Sequence, residues 1–571
     1  MMFANIFMKK IIILYCVLLF LVVFYPLFIS TGYIFALDQM AYINYWEHCV
    51  WDFNWLATWI DYTWCFLKKV LPDFMHIRLL AIMTFGLLMT WGYYLTKETK
   101  NIYAILFCIT LLCINPFFYG RIMDGQVNVF VTSALFVWFV YFLKQAFRTR
   151  LMRYNAMMAV IIALLFVTSI YALYLAVFSY AIFFGVYFIS SDHKKKLLLW
   201  VLMLWLVVNI FWFISPWVLW GISTRIDWFT LRFTTASWQY TAPINAALMR
   251  WYWWETQHRF VTLEQFYKHP GVGIGMMTII WMCVIFGIIS LWRKKTHRSE
   301  MISICIMWIV WYILTLGIDP SSPFRSWVRY LYDYFPLYSG FRESQKWGIL
   351  LVIAYAYLWW YGIQELFSRM RTFRLRGSIM IFLITLPLIS TPLMLFGFIG
   401  QLQPKQFPKE YSDVRDTLRD VVPTQSCENL EKGIGRCYTF LYFPWHEYIR
   451  LGWVNQVTMI RTFSDYISNT DYNLIGDNSQ IGPVWSTSIR PESRTIERYI
   501  RRRWQQINAL EQVQEMHAFH TDIRKMGIQY IVLLRDNTDS SNYIQFLDMS
   551  VEERLFTIAQ ENRLIKIYKI L

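Results

Sequence analysis

The sequence predicts a membrane all-α fold of about eleven transmembrane helices, followed by a C-terminal extracytoplasmic α+β domain. Three observations lead there. Of 571 residues, 57% are hydrophobic and only 16% charged, against roughly 45–50% and about 25% in an ordinary soluble domain. Apolar runs long enough to cross about 30 Å of hydrocarbon recur along residues 1–400. From Gln401 the composition turns to that of a soluble module. Soluble cores cannot hide so much apolar surface at this length. A disordered chain is also excluded, because it would be poor in hydrophobic residues.

The apolar runs lie near 11–30, 74–95, 102–118, 127–143, 155–170, 172–190, 197–220, 273–291, 301–317, 347–363 and 378–399. The first follows Lys9-Lys10 and has no small-residue cleavage site, so it reads as a retained anchor and not a signal peptide. Residues 155–190 fit either one tilted helix or two shorter ones, and charge decides between them. With two passes, every second loop is basic: Lys9-Lys10, Lys97 and Lys100, then Lys144 to Arg153, then Lys194-Lys195-Lys196. The series continues with Arg293, Lys294, Lys295 and Arg298, and ends with Arg369, Arg371, Arg374 and Arg376. A single pass would throw the last three clusters onto the outer face, against the positive-inside rule. The turn is expected near 169–171, with the N-terminus cytoplasmic and the tail outside a plasma membrane.

The same assignment explains the net charge of +16. The excess sits in the short inner segments, while the tail is balanced, so the charge is an orientation signal and gives no support to a nucleic-acid partner. All the long polar segments fall outside: loops at about 31–73, 221–272 and 318–346, and the domain at 401–571.

In that domain, Pro404, Pro408 and Pro423 punctuate the approach. Residues 411–421 pattern as a short amphipathic helix, and strands are expected at 437–443, 529–534 (after a Met526-Gly527 turn) and 564–571. A charged helix is expected over 493–516, where Arg501-Arg502-Arg503 is either a solvated face or a site for phosphates or headgroups.

Of nine cysteines, Cys16, Cys108, Cys113, Cys283 and Cys305 fall within predicted helices as small apolar residues. Cys49 with Cys65, and Cys427 with Cys437, give two pairs in exported segments, as expected of local disulfides in an oxidising compartment. No cysteine–histidine spacing suits zinc.

Four constellations are candidates for chemistry. Asp38 leaves the first helix where a lipid-linked headgroup would sit, and suits a general base or a ligand to a divalent cation. Glu47, Asp52 and Asp61 share its loop. Residues 115–126 (NPFFYGRIMDGQ) form an expected short link between the third and fourth helices. There Arg121 either pairs with Asp124 or binds phosphate, with Gln126 beside it. Arg342, Glu343 and Lys346 precede the tenth helix, where the two cations suit a phosphate or serve as interfacial anchors. Trp254, in the run 251–255, either stacks on a sugar face or belongs to an aromatic belt.

No Walker loop, nucleophile elbow or haem motif occurs. The predicted spans carry almost no ionisable residue, which argues against an ion-coupled transporter.

Taken together, the acidic first outer loop, the many passes, the short inner loops and the exported domain resemble the GT-C superfamily. The motifs NPFFYGRIMDGQ, GFRESQKWG, FPWHEY and MGIQYIVL are similar to those of a prokaryotic group of GT-C-like membrane proteins. The resemblance implies a glycosyltransferase that moves a sugar from a polyprenyl-phosphate carrier to an acceptor outside the membrane. It implies Asp38 as catalytic base or as ligand to Mg or Mn, and Arg342, Lys346 and less directly Arg121 as phosphate holders. The implied partners are membrane lipids and the lipid-linked sugar.

Two departures stand out: Asp38-Gln39 replaces a pair of adjacent acidic residues, and the tail lacks a WWD-type motif. They leave room for a member that binds a lipid-linked sugar without transferring it, and two other readings stand beside the first. One is a non-catalytic cell-envelope protein whose C-terminal domain binds a partner or surface glycan. The other is a lipid-carrier transporter or flippase.

Overall fold

The computed structural model describes residues 2–29, 31, 75–96, 101–123, 126–149, 151–168, 170–190, 242–249, 270–293, 298–334, 344–369, 373–418, 439–445, 448–449, 451, 453, 458–459, 463, 467, 473–474, 495–499, 509–536 and 540–571. The chain divides into a helical unit, Met1–Ile29 with Trp51–Gly400, and a second unit, Ser30–Val50 with Gln401–Leu571.

The helical unit runs through α1 (Met2–Ile29), α2 (His76–Thr96), α3 (Ile102–Cys113), α4 (Pro116–Met123), α5 (Val127–Thr149), α6 (Met152–Thr168), α7 (Ile170–Ser190) and α8 (Ala242–Ala247). It continues with α9 (Pro270–Arg293), α10 (Arg298–Leu316), α11 (Arg325–Tyr334), α12 (Gly348–Arg369) and α13 (Phe373–Ser390).

Among the described residues, six helices are long and apolar enough to cross a membrane, where about eleven were expected. They are Met8–Ile29, Arg78–Thr96, Ile102–Met123, Val129–Thr149, Arg298–Leu316 and Gly348–Arg369. Met152–Leu165, Leu175–Ile189 and Thr278–Arg293 are apolar but shorter. The 17 residues of α6 rise about 25 Å at about 1.5 Å each, short of a hydrocarbon core of about 30 Å. The run expected at 197–220 lies outside the described residues.

The run expected at 378–399 is not straight, because it bends by 74° between Gly377–Ser390 and Pro392–Ile399. Pro392 has no N–H and pushes Thr391 out of the helical region, to φ −139 and ψ 56. Gly397 then takes a left-handed φ of 67 against α1, where a Cβ would lie 2.2 Å from Pro26 Cγ.

The reversal of the chain between α6 and α7 follows from side-chain pairing. Phe142 of α5 meets Tyr154 at the start of α6, and Phe147 meets Tyr187 near the end of α7. The chain has therefore gone out along α6 and returned along α7.

Helix directions are fixed elsewhere in the same way. Phe178 of α7 sits edge-on to Trp311 of α10 and to Trp347, the residue before α12. With Tyr187 level with Phe147, α5, α7 and α12 run the same way. Beside α12, α9 is also parallel, since Ser290 reaches Glu365 and Trp359 donates to the Ile280 carbonyl. Their crossing is tight: a Cβ on Gly287 would lie 1.9 Å from the Leu358 oxygen, and one on Gly362 2.5 Å from the Cys283 oxygen. Small residues let membrane helices gain contact where water supplies no driving force.

The second unit adds α14 (Lys409–Leu418), α15 (Ala509–Lys525) and α16 (Ser540–Glu552), with strands β1 (Phe440–Phe443), β2 (Tyr448–Ile449), β3 (Thr458–Met459), β4 (Asn473–Leu474), β5 (Tyr530–Leu534), β6 (Phe556–Glu561) and β7 (Ile565–Ile570). A five-stranded sheet has the order β4-β1-β5-β7-β6. β1 is parallel to β4 and β5, while β7 is antiparallel to β5 and β6.

Alternation along the central strands builds two cores. Phe440, Tyr442, Val532 and Leu534 pack with Tyr411, Val414 and Leu418 of α14. Leu441, Phe443, Ile531 and Leu533 pack with Met516, Phe519 and Ile523 of α15 and with Phe546 and Leu547 of α16. A strand pair buried on both faces reads as a continuous apolar run, as FLYF and YIVLL do. Gly527, at φ 81, makes the turn from α15 into β5. The Arg501-Arg502-Arg503 run and the middle of the expected 493–516 helix lie outside the described residues.

Candidate functional site

Within the segment expected as a loop at 115–126, Pro116–Met123 form a largely buried helix. Pro116 cannot donate, so α3 ends at Ile114, whose extended backbone returns its N–H to Thr110. Asn115 then restarts the helix. Its Nδ2 donates to the carbonyls of Leu111 and Leu112 at 3.0 and 3.2 Å. Its Oδ1 accepts from the Phe118 N–H at 3.0 Å, as an N-cap does. The arrangement buries Pro116 to Arg121 and Met123.

Arg121 is 2% exposed. Its NH1 donates to Gln126 Oε1, its guanidinium lies 5.6 Å from the Phe117 ring centroid, and its carbonyl accepts from the Gln126 N–H at 3.0 Å. The structure thus brings together two residues singled out in the sequence, with Gln126 as the described partner. Asp124 lies outside the described residues.

Lys346 belongs to a 3-10 turn, Ser344–Trp347, that leads into α12. Trp347 fixes this turn by stacking on Trp311 at 4.8 Å, leaving Lys346 half-buried. Because α5 and α12 run parallel and Phe118 of α4 packs on Phe130 near the start of α5, Arg121 and Lys346 occupy the same end of the bundle.

Arg78 is a third cation at that end, and sequence reading passed over it. It is 2% exposed, and its Nε donates to the carbonyl of Leu27 in the last turn of α1, where helix carbonyls lack partners of their own. Aromatic contacts run from Phe24 to Phe85, Phe130 and Phe118, and separately from Phe24 through Phe398 to Tyr119. They join the Arg78 end of α1 and α2 to the α4 helix. The signal was available, as Arg78 is the one lysine or arginine inside the expected 74–95 run.

Asp319 was also missed. It is 2% exposed, and its Oδ1 accepts from the Ser321 N–H at 2.8 Å and from its hydroxyl.

Toward the opposite end of these helices, Lys144 Nζ lies 2.7 Å from Glu300 Oε1, with side-chain exposures of 5% and 2%. Tyr357 donates to the same oxygen, and the ammonium lies 4.8 Å from the Tyr357 ring centroid. The spans therefore do carry buried charge, contrary to expectation. Both residues fell just outside the expected apolar runs, 127–143 and 301–317, because hydropathy ends a run at a charge whereas the helix continues through it.

Asp38, Arg342, Glu343 and Trp254 lie outside the described residues, as do Cys49, Cys65, Cys427 and Cys437. The other five cysteines are free thiols in or beside the helices. Among the described residues, no three His, Cys, Asp or Glu side chains gather as a metal site. Comparison with family models finds no match, and neither does comparison with curated proteins.

Proposed function

We propose that the chain is an integral-membrane glycosyltransferase of GT-C type, moving a sugar from a polyprenyl-phosphate carrier to an extracytoplasmic acceptor. The observation that supports it is that Arg78, Arg121 and Lys346, all buried or half-buried, lie toward the same end of an apolar helical unit. A phosphate at the end of a lipid tail meets the protein at that depth, and guanidinium and ammonium groups are its natural partners.

In this reading Asp38 takes the proton of the acceptor hydroxyl, or holds a divalent cation such as Mg or Mn. The acceptor oxygen bonds to the anomeric carbon, and the bond from that carbon to the phosphate oxygen breaks. Arg342 and Lys346 neutralise the polyprenyl phosphate that leaves. Arg121, steadied by Gln126, and Glu343 shape the headgroup pocket, and Trp254 stacks on the sugar.

Membranes supplied with a labelled polyprenyl-phosphate sugar test the proposal. Asp38→Asn is expected to lower transfer about 10²–10⁴-fold, the usual worth of a general base. Undiminished labelling of cell-surface glycan by that variant would overturn it.

A second reading, a non-catalytic envelope protein, draws on the second unit's own sheet, packed on both faces. Such a protein would lose its partner on deletion of 401–571 and be indifferent to Asp38→Asn.

A further inference from the structure

The segment between α10 and α12 was read from sequence as an outer loop, yet it contains α11, an amphipathic helix with three distinct sides. At 100° per residue, Phe324, Trp327, Tyr330, Leu331 and Tyr334 fall within about 120° of arc. Arg325, Arg329 and Asp333 fall within about 80° on the far flank. Val328, between them, is the one fully buried residue of the helix. The aromatic flank is exposed: Phe324 40%, Trp327 47%, Tyr330 60% and Tyr334 72%. On the other flank Arg329 pairs with Asp333, and Arg325 leaves that side net positive.

The approach to α11 is held in place. Gly317, at φ 60, ends α10, and buried Asp319 and Ser322 hold the following turn. The Ser322 N–H donates to the Asp319 carbonyl at 3.0 Å and the Arg325 N–H to the Ser322 carbonyl at 3.2 Å. The chain then returns to the bundle, where Trp347 stacks on Trp311. Since α10 and α12 each meet the length and apolarity of a membrane span, a helix tethered at their shared end lies at the depth of the membrane surface.

We infer that α11 is an interfacial helix that docks on anionic phospholipid. Val328 faces the bundle, the aromatic flank enters the boundary between headgroups and acyl chains, and the arginine flank faces the phosphates and water. Tryptophan and tyrosine are the residues that favour this boundary, and an amphipathic helix with basic residues on its polar side lies in its plane. Charge complementarity with headgroup phosphates selects the anionic lipid.

The full-length protein in nanodiscs of phosphatidylcholine and phosphatidylglycerol tests this inference. A single genetically encoded fluorescent residue is placed in turn at Trp327, Tyr330, Arg325 and Asp333. Quenchers on the upper acyl chain are expected to quench positions 327 and 330 several-fold more than 325 and 333, with aqueous iodide giving the reverse order. Replacing phosphatidylglycerol by phosphatidylcholine, or introducing Arg325→Gln with Arg329→Gln, is expected to weaken the lipid quenching at 327. Equal quenching on both flanks would overturn the inference, as would iodide access at 327. Shielding of 327 from both quenchers would mean that protein covers the flank, and would overturn it too. The four positions are read independently, so one misfolded variant leaves three to decide the matter.

Discussion

Lys144 and Glu300 are charges placed where the surroundings are least able to solvate them. Their ion pair at 2.7 Å, the Tyr357 hydroxyl and the Trp360 ring 5.7 Å from the ammonium together replace water. Removing one partner strands the other, which typically costs about 3–5 kcal/mol. Glu300→Gln is therefore expected to lower the thermal unfolding midpoint in detergent markedly. The double change Lys144→Met with Glu300→Leu is expected to restore most of it, because the penalty belongs to the unpaired charge and not to the missing bond. A double change no more stable than Glu300→Gln would contradict this account. Their pairing was hidden from sequence reading, which placed Lys144 in a basic inner loop, because the partner lies 156 positions away in the chain (144 against 300). Asn115 is the same kind of case. Its composition neighbours, Pro and Gly, spell a loop, while its side-chain amide supplies the hydrogen bonds that make a helix.

At the level of elements, the contact of α9 with α12 rests on two positions that have no room for a side chain. Gly287→Ala places its methyl against the Leu358 carbonyl, a backbone atom that cannot swing aside. Overpacking of this kind costs roughly 1–3 kcal/mol or more. Gly275→Ala, with nothing within 4 Å, is the control expected to be neutral; equal unfolding midpoints for the two variants would refute the tight crossing.

In the second unit, His520 Nε2 lies 3.0 Å from the Leu571 backbone oxygen, and its pKa is lowered, chiefly by burial and further by Arg524 and His517. A lowered folded value favours the neutral ring. This stabilisation is thus complete above the unfolded value of about 6.5 and is lost as pH falls through the folded value. Protection factors of amides in α15 and β7, corrected for the intrinsic pH dependence of exchange, are expected to fall as pH drops from about 6.5 through the folded value, and less so in His520→Gln. An identical acid response in that variant would assign the effect elsewhere.

Elements with a strong local mark were legible in the sequence: β1, β5 and β7 by their apolar, β-branched and aromatic runs, α14 by its amphipathic pattern, and the pair α6 and α7 by the charge of the loops around them. Others were not. β6 exposes Thr557, Ile558 and Ala559, so no apolar run marks it, and α11 buries too little to stand out from a polar loop.

For the whole molecule, the two units are built on different physics. The helical unit presents apolar side chains outward, among them Ile13, Met83, Ile285, Phe286 and Ile381, as expected where lipid is the solvent. The second unit gathers its apolar residues onto both faces of one sheet. The composition of the chain changes from mostly apolar to that of a soluble module at Gln401.

The parallel course of α9 and α12 fixes a parity. If both cross the membrane, an odd number of crossings separates the end of one from the start of the other, and α10 supplies it. The start of α9 at Pro270 then opens to the same compartment as Lys346, and Arg293 shares the opposite one with Arg369. A membrane-impermeant reagent applied from one side would find both members of one set and neither of the other, whichever way the protein is inserted.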